Sequence, residues 1–91
     1  MEAEQIRSYL RRAGWIPNKH GYFCKELSMK TPEGAKKRML RVKFKKTCIT
    51  IEMHSSVNSF WFRIGGAPFE VVRIDDSGVM HVLTYKFNPN A

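Results

Sequence analysis

Apolar residues near the start of the chain recur with a helical period. Ala3, Ile6, Leu10 and Ala13 fall at i, i+3, i+7 and i+10 with Tyr9 beside them, which predicts an amphipathic helix across "EAEQIRSYLRRAG". Glu2 and Glu4 suit the positive end of its dipole, and Arg11 and Arg12 the negative end. Gly14 is placed to close the helix in the left-handed conformation, with Trp15 folding back onto the last turn.

Beyond Trp15 the period falls to two. "WIPNKHGYFCKEL" holds two short apolar pieces around Asn18-Lys19-His20-Gly21, a hairpin signal. Pro17 cannot donate to a ladder, so the first piece belongs at a sheet edge. "SMKTPEGAKKR" reads as a loop in which Thr31-Pro32-Glu33 has the form of a helix start, worth one or two turns. Leu40, Val42 and Phe44 then alternate with Arg41, Lys43 and Lys45, and Ile49, Ile51 and Met53 with Thr50 and Glu52. The apolar set switches from even to odd positions between Phe44 and Ile49, which requires a turn or bulge near Lys45-Lys46-Thr47.

Further on, Phe60, Phe62 and Ile64 alternate with Trp61 and Arg63, the first set pointing inward. "GGAP" turns the chain, "FEVVRI" reads as a strand, "DDSG" as a turn and "VMHVLTYKF" as the last strand, with the tail at 88–91 expected to fray. The sum is a single α+β domain over residues 1–91. Its N-terminal helix packs on one face of a mostly antiparallel five- or six-stranded sheet, because helix stripe and sheet each need a partner. The other face can meet water.

Composition is consistent with that reading: 43% hydrophobic and 26% charged residues suit a folded domain rather than a disordered chain. No apolar run is long enough to span a bilayer, and "MEAEQIRSYL" lacks the basic start and apolar stretch of a signal peptide, so a cytoplasmic location is expected. Cys24 and Cys48 have no Cys-x-x-Cys spacing and read as reduced, half-buried residues; a disulfide requires their strands to be neighbours.

Charge changes the picture more. The net charge is +8, and residues 1–46 hold 13 lysines and arginines against four acids, while residues 47–91 hold three against four. Seven of the cations fall within "AKKRMLRVKFKKT" at 35–47. A field so concentrated steers anionic partners. If Leu40, Val42 and Phe44 face the helix, Arg41, Lys43 and Lys45 face away, and Trp61 and Arg63 do the same. Cations hold phosphates and an indole offers a base a stacking surface, which suits single-stranded nucleic acid. Lys36, Lys37, Arg38 and Lys46 extend the positive run outside the alternating segment. The competing structural role is edge protection by the lysines and a hydrophobic spot covered by Trp61.

Catalytic signals are sparse. Neither His54 nor His81 has a ligand-type neighbour at metal spacing, "RIGGAP" is not a phosphate loop, and nothing implies a cofactor. His20 at a hairpin tip beside Lys19 is the one candidate acid or base. The stretch "IRSYLRRAGWIPNKHGYF" resembles the opening of the small HicA-type toxin ribonucleases, a helix ending in Gly-aromatic followed by a His-bearing hairpin. The resemblance covers 18 residues; the Gly-Ser-His-His stretch of those proteins is missing, and the C-terminal half here is all strand.

Three readings follow. The first is a non-catalytic nucleic-acid-binding accessory protein whose site comprises Lys36, Lys37, Arg38, Arg41, Lys43, Lys45, Lys46, Trp61 and Arg63. The second is a small interaction module, for example a phage or mobile-element accessory protein, that docks through an acidic protein surface on a larger complex, such as a nucleic-acid-processing one, and modulates or inhibits it. The third, which the resemblance implies, is a metal-independent ribonuclease using His20. Membrane association is not expected.

Overall fold

In the computed structural model, residues 1–83 and 85–90 are described. Helix α1 (Ala3–Arg12) leads into β1 (Ile16–Pro17), β2 (Phe23–Thr31), β3 (Gly34–Phe44), β4 (Cys48–His54) and β5 (Trp61–Pro68). These five strands form one antiparallel sheet in chain order. A short 3-10 turn at Phe69–Val71 is followed by β6 (Arg73–Ile74), β7 (Met80–Val82) and β8 (Tyr85–Phe87), a second antiparallel sheet. The fold is α+β with its helix at the N-terminus.

α1 buries Ile6 and Leu10 completely, with Tyr9 and Ala13 packed beside them. The helix starts with the Glu2 N–H donating to Gln5 Oε1 and ends with the Trp15 N–H donating to the Leu10 carbonyl, Gly14 taking φ +90° between them. Trp15 is buried, its Nε1–H donating to the Pro89 carbonyl and its ring meeting Phe87 edge-on. Pro17 lies on the two-residue edge strand, and the hairpin turn at Asn18–Gly21 is closed by the Asn18 side chain accepting from His20 and Tyr22 N–H groups.

Every buried apolar residue of β2–β5 belongs to the inner set: Phe23, Leu27, Leu40, Val42, Ile49, Ile51 and Ala67. Together with α1 and with Val72, Met80, Val82 and Phe87 they make one core. Burying each large aliphatic or aromatic side chain stabilises the fold by about 1.5–3 kcal/mol. The parity switch resolves as required: β3 ends at Phe44, Lys45 N–H donates to the Cys48 carbonyl, and Phe44 pairs with Ile49, so both sets face inward. The second sheet rests on β5 at Gly65, where a Cβ would come within 2.9 Å of the Tyr85 ring.

Several expectations from the sequence are corrected. Residues 28–38 are not a loop with a helix start; β2 and β3 run through them and Pro32-Glu33 is a two-residue hairpin turn between paired Thr31 and Gly34. Pro32 supplies the turn, and Gly34 takes φ +114°, so the residues that resemble a helix start serve a hairpin instead. "FEVVRI" is mostly the 3-10 turn, with only Arg73 and Ile74 in a strand. "VMHVLTYKF" splits into β7 and β8, which pair with each other; Leu83 has φ 59°, and Thr84 lies outside the described residues. Phe60 precedes β5 and is 71% exposed, and Phe62, although on the inner side, is 47% exposed because the covering layer stops short of it. The tail expected to fray is held at Pro89, whose carbonyl accepts from Trp15 and from Lys25 Nζ; Ala91 lies outside the described residues.

Among the described residues no helix is long and apolar enough to cross a membrane. Cys24 and Cys48 stand on β2 and β4 with β3 between them. Two inter-strand spacings of about 4.8 Å put them beyond disulfide reach.

Candidate functional site

The face of the five-stranded sheet turned away from α1 is organised in rows across the strands. One row sets Cys24, Arg41, Glu52 and Arg63 side by side, and the next carries Lys43, Thr50 and Gly66. His54 pairs with Trp61 on the other side of the first row. Alternation about the buried residues fixes these directions, since Ile51 and Met53 face inward on either side of Glu52.

Arg41 is the centre of the arrangement. Its guanidinium lies 4.2 Å from the centroid of the Trp61 ring and 5.3 Å from that of Tyr22, and its Nε donates to Glu52 Oε1 at 2.7 Å. The His54 ring meets Trp61 nearly edge-on at 5.0 Å, and the Lys43 ammonium sits 5.2 Å from the Tyr22 ring. Tyr22, Arg41, Trp61 and His54 thus form a strip of ring and guanidinium planes across three strands and the β1–β2 hairpin. Cation–π contacts of this kind contribute about 0.5–2 kcal/mol each and restrict the arginine to one orientation.

Glu52 tempers the charge. Its carboxylate lies 2.7 Å from Arg41 and 4.0 Å from Lys43 and is itself largely covered. Burial raises the Cys24 thiol above its ordinary pKa, with nearby Arg41 opposing that shift. Next to the strip, Arg63 folds across Gly66, where a Cβ would lie 2.8 Å from its Nη2. A groove of about 310 Å³ opens there, lined in part by Lys45, Thr50, Arg63 and Gly66.

The nine cationic and aromatic positions expected to act together are only partly brought together. Arg41, Lys43, Trp61 and Arg63 share the outer face, and Lys45 reaches the groove at its border. Lys37 lies on the same face farther along β3, 4.0 Å from Glu26. Lys36 and Arg38 are strand residues rather than part of a loop, and their even positions turn them to the opposite face, opposite Met29 and Leu27. Lys46 turns toward the start of α1, lining a recess with Glu2 and Gln5. The helix arginines stay on the helix side, Arg7 over the Phe44 ring and Arg11 over the Phe23 ring.

Tyr22, Glu52 and His54 are the members that charge counting misses. Alternation around Phe23, Ile51 and Met53 places each of them outward, so the signal is present in the sequence. His20 is exposed at its hairpin tip, its ring 5.7 Å from that of Tyr22. Asp75 and His81 meet in the second sheet at 2.7 Å, where Asp75 also caps its turn by accepting from Ser77 and Val79. Among the described residues no group of three or more His, Cys, Asp or Glu is placed to hold a metal ion. No protein-family model, curated protein or solved structure matches the chain.

Proposed function

We propose that the protein binds single-stranded nucleic acid on the outer face of its five-stranded sheet. The observation that carries this reading is the strip of Tyr22, Arg41 and Trp61, with Lys43 and Arg63 beside it, on a face that contributes no buried apolar residue to the core. Bases stack on indole, phenol and guanidinium planes alike, while the flanking cations neutralise phosphates. A rigid strand surface with pre-oriented planes loses little side-chain freedom on binding. Titration of labelled single strand and duplex at several salt concentrations tests the proposal. Single strands should bind more tightly, with affinity falling linearly in log salt; Trp61→Ala should weaken single-strand binding by about 1–3 kcal/mol and leave duplex binding nearly unchanged. Equal loss on both ligands, or affinity indifferent to salt, contradicts it.

One observation favours a second reading, docking on a larger protein. Val57, Phe60 and Phe62 are exposed around the β4–β5 connection, Phe62 on the face opposite the Tyr22, Arg41 and Trp61 strip. Partners captured from lysate that survive nuclease treatment, and are lost on Phe60→Ser, would support it.

A further inference from the structure

β2 runs for nine residues, yet β1 pairs only with its first two, so from Lys25 to Thr31 one side of the strand is paired with no other strand among the described residues. The other margins of the sheet are blunted. β1 is two residues long and contains Pro17, and β5 carries a bulge opposite Ile51 and Glu52, two glycines and Pro68. The open stretch of β2 has no proline and no shift in register. It is a regular edge of the kind that pairs with another strand.

Its backbone groups have a defined direction. Hydrogen-bonded and non-hydrogen-bonded pairs alternate along an antiparallel ladder. The Asn18 N–H donates to the Tyr22 carbonyl on the β1 side, which makes the even positions of β2 the ones whose backbone groups point away from β3. Glu26, Ser28 and Lys30 therefore present N–H and C=O groups to the open edge.

The side chains along this edge are complementary to themselves. A two-fold axis at Ser28, perpendicular to the sheet, sets Glu26 opposite Lys30 and Leu27 opposite Met29. The first pair joins opposite charges on the outer face, twice by symmetry. The second joins apolar side chains on the inner face, where a groove of about 200 Å³, lined by residues 27–30, Leu40 and residues 85–88, can receive Met29 of the second copy. Shifting the axis one residue either way sets Glu26 or Lys30 against Ser28 and loses both charge pairs.

We propose that β2 pairs antiparallel with β2 of a second copy about this axis, joining the β2–β5 strands of both copies into one sheet of eight, with each β1 at an end of the seam. The interface is isologous and closes on itself, so it yields a dimer rather than a fibre. Both outer faces then lie on the same side of the joined sheet. An interface this small gives weak, concentration-dependent association.

Sedimentation velocity of the whole protein from about 10 μM to about 1 mM tests this, a range suited to a weak interface. Glu26→Lys and Lys30→Glu each set like charges opposite one another and should weaken the dimer about tenfold, given two such pairs per dimer. The double variant Glu26→Lys/Lys30→Glu restores opposite charges and should recover dimerisation to within about threefold. Ser28→Pro removes an outward N–H that the β2–β3 ladder does not use and should abolish the dimer, with far-UV circular dichroism showing the fold retained. A monomer at all concentrations overturns the proposal, as does a dimer that the single charge changes leave intact or that the double variant fails to restore.

Discussion

Arg41 sits between two neighbours of different kinds, the Trp61 ring at a centroid distance of 4.2 Å and the Glu52 carboxylate at 2.7 Å from its Nε. The ring packs against the guanidinium, and the carboxylate offsets part of its field. Binding strength on the outer face therefore depends on a balance that one substitution can move.

Glu52→Gln moves it toward anions. The amide oxygen still accepts from Arg41, so the strip persists, while the charge shared by Arg41 and Lys43 is released. Single-strand affinity at low salt should rise, and the slope of log affinity against log salt should steepen by about one unit, the equivalent of one further phosphate contact. Salt-dependent titration of the variant checks this; weaker binding with an unchanged slope would mean that Glu52 orients the site rather than screening it.

Facing along β3 makes a second prediction. Lys43 shares the outer face with the strip, whereas Lys36 and Arg38 turn to the other side. Lys43→Glu should weaken binding about tenfold or more, and Arg38→Glu only a few-fold through the general field, a difference that direct contact and long-range charge would produce. Comparable losses in both variants would show that net charge rather than the face governs affinity.

That facing was legible in the sequence from Leu40 onward because alternation is local: a buried Val42 and Phe44 oblige Arg41 and Lys43 to point away. The same rule gave no guidance at residues 35–39. There the hairpin runs past the core, lysines and arginines occupy both faces, and the period of two vanishes from the hydrophobicity pattern although the strand continues. The inward orientation of Phe62 was readable, but its exposure was not, since it depends on how far the second layer extends. The break at Leu83 carries no glycine or asparagine, and its φ of 59° is imposed by the pairing of β7 with β8. Register lies beyond local pattern too, so the contact of Glu52 with Arg41 emerged only from the paired strands.

The second sheet offers a pH-dependent test of its own. Hydrogen bonds from Ser77, His81 and the Val79 N–H hold the Asp75 carboxyl well below the usual carboxylate range. A folded value below the unfolded value of about 3.9 gives stability that is present in full above that pH and is lost as pH falls through the folded value. Asp75→Asn keeps an acceptor for the turn but not the charge. The wild-type advantage in thermal midpoint should be largest above about pH 5 and shrink below about pH 4. It should be modest, because the carboxylate is exposed and solvent screens it. An advantage that stays constant down to acidic pH would assign the role of Asp75 to turn geometry alone.

Trp61 provides the most direct reading of the central claim, because the other tryptophan is sequestered. Trp15 is 2% exposed and hydrogen-bonded to Pro89, so its emission should not respond to a ligand on the far side of the sheet. Intrinsic fluorescence is to be followed while an oligothymidine strand is added at several salt concentrations. Saturable quenching, with an apparent affinity that falls linearly in log salt and a response absent from Trp61→Phe, is the predicted result. Binding that leaves Trp61 emission unchanged, or no binding at low salt, would contradict a nucleic-acid site on this face.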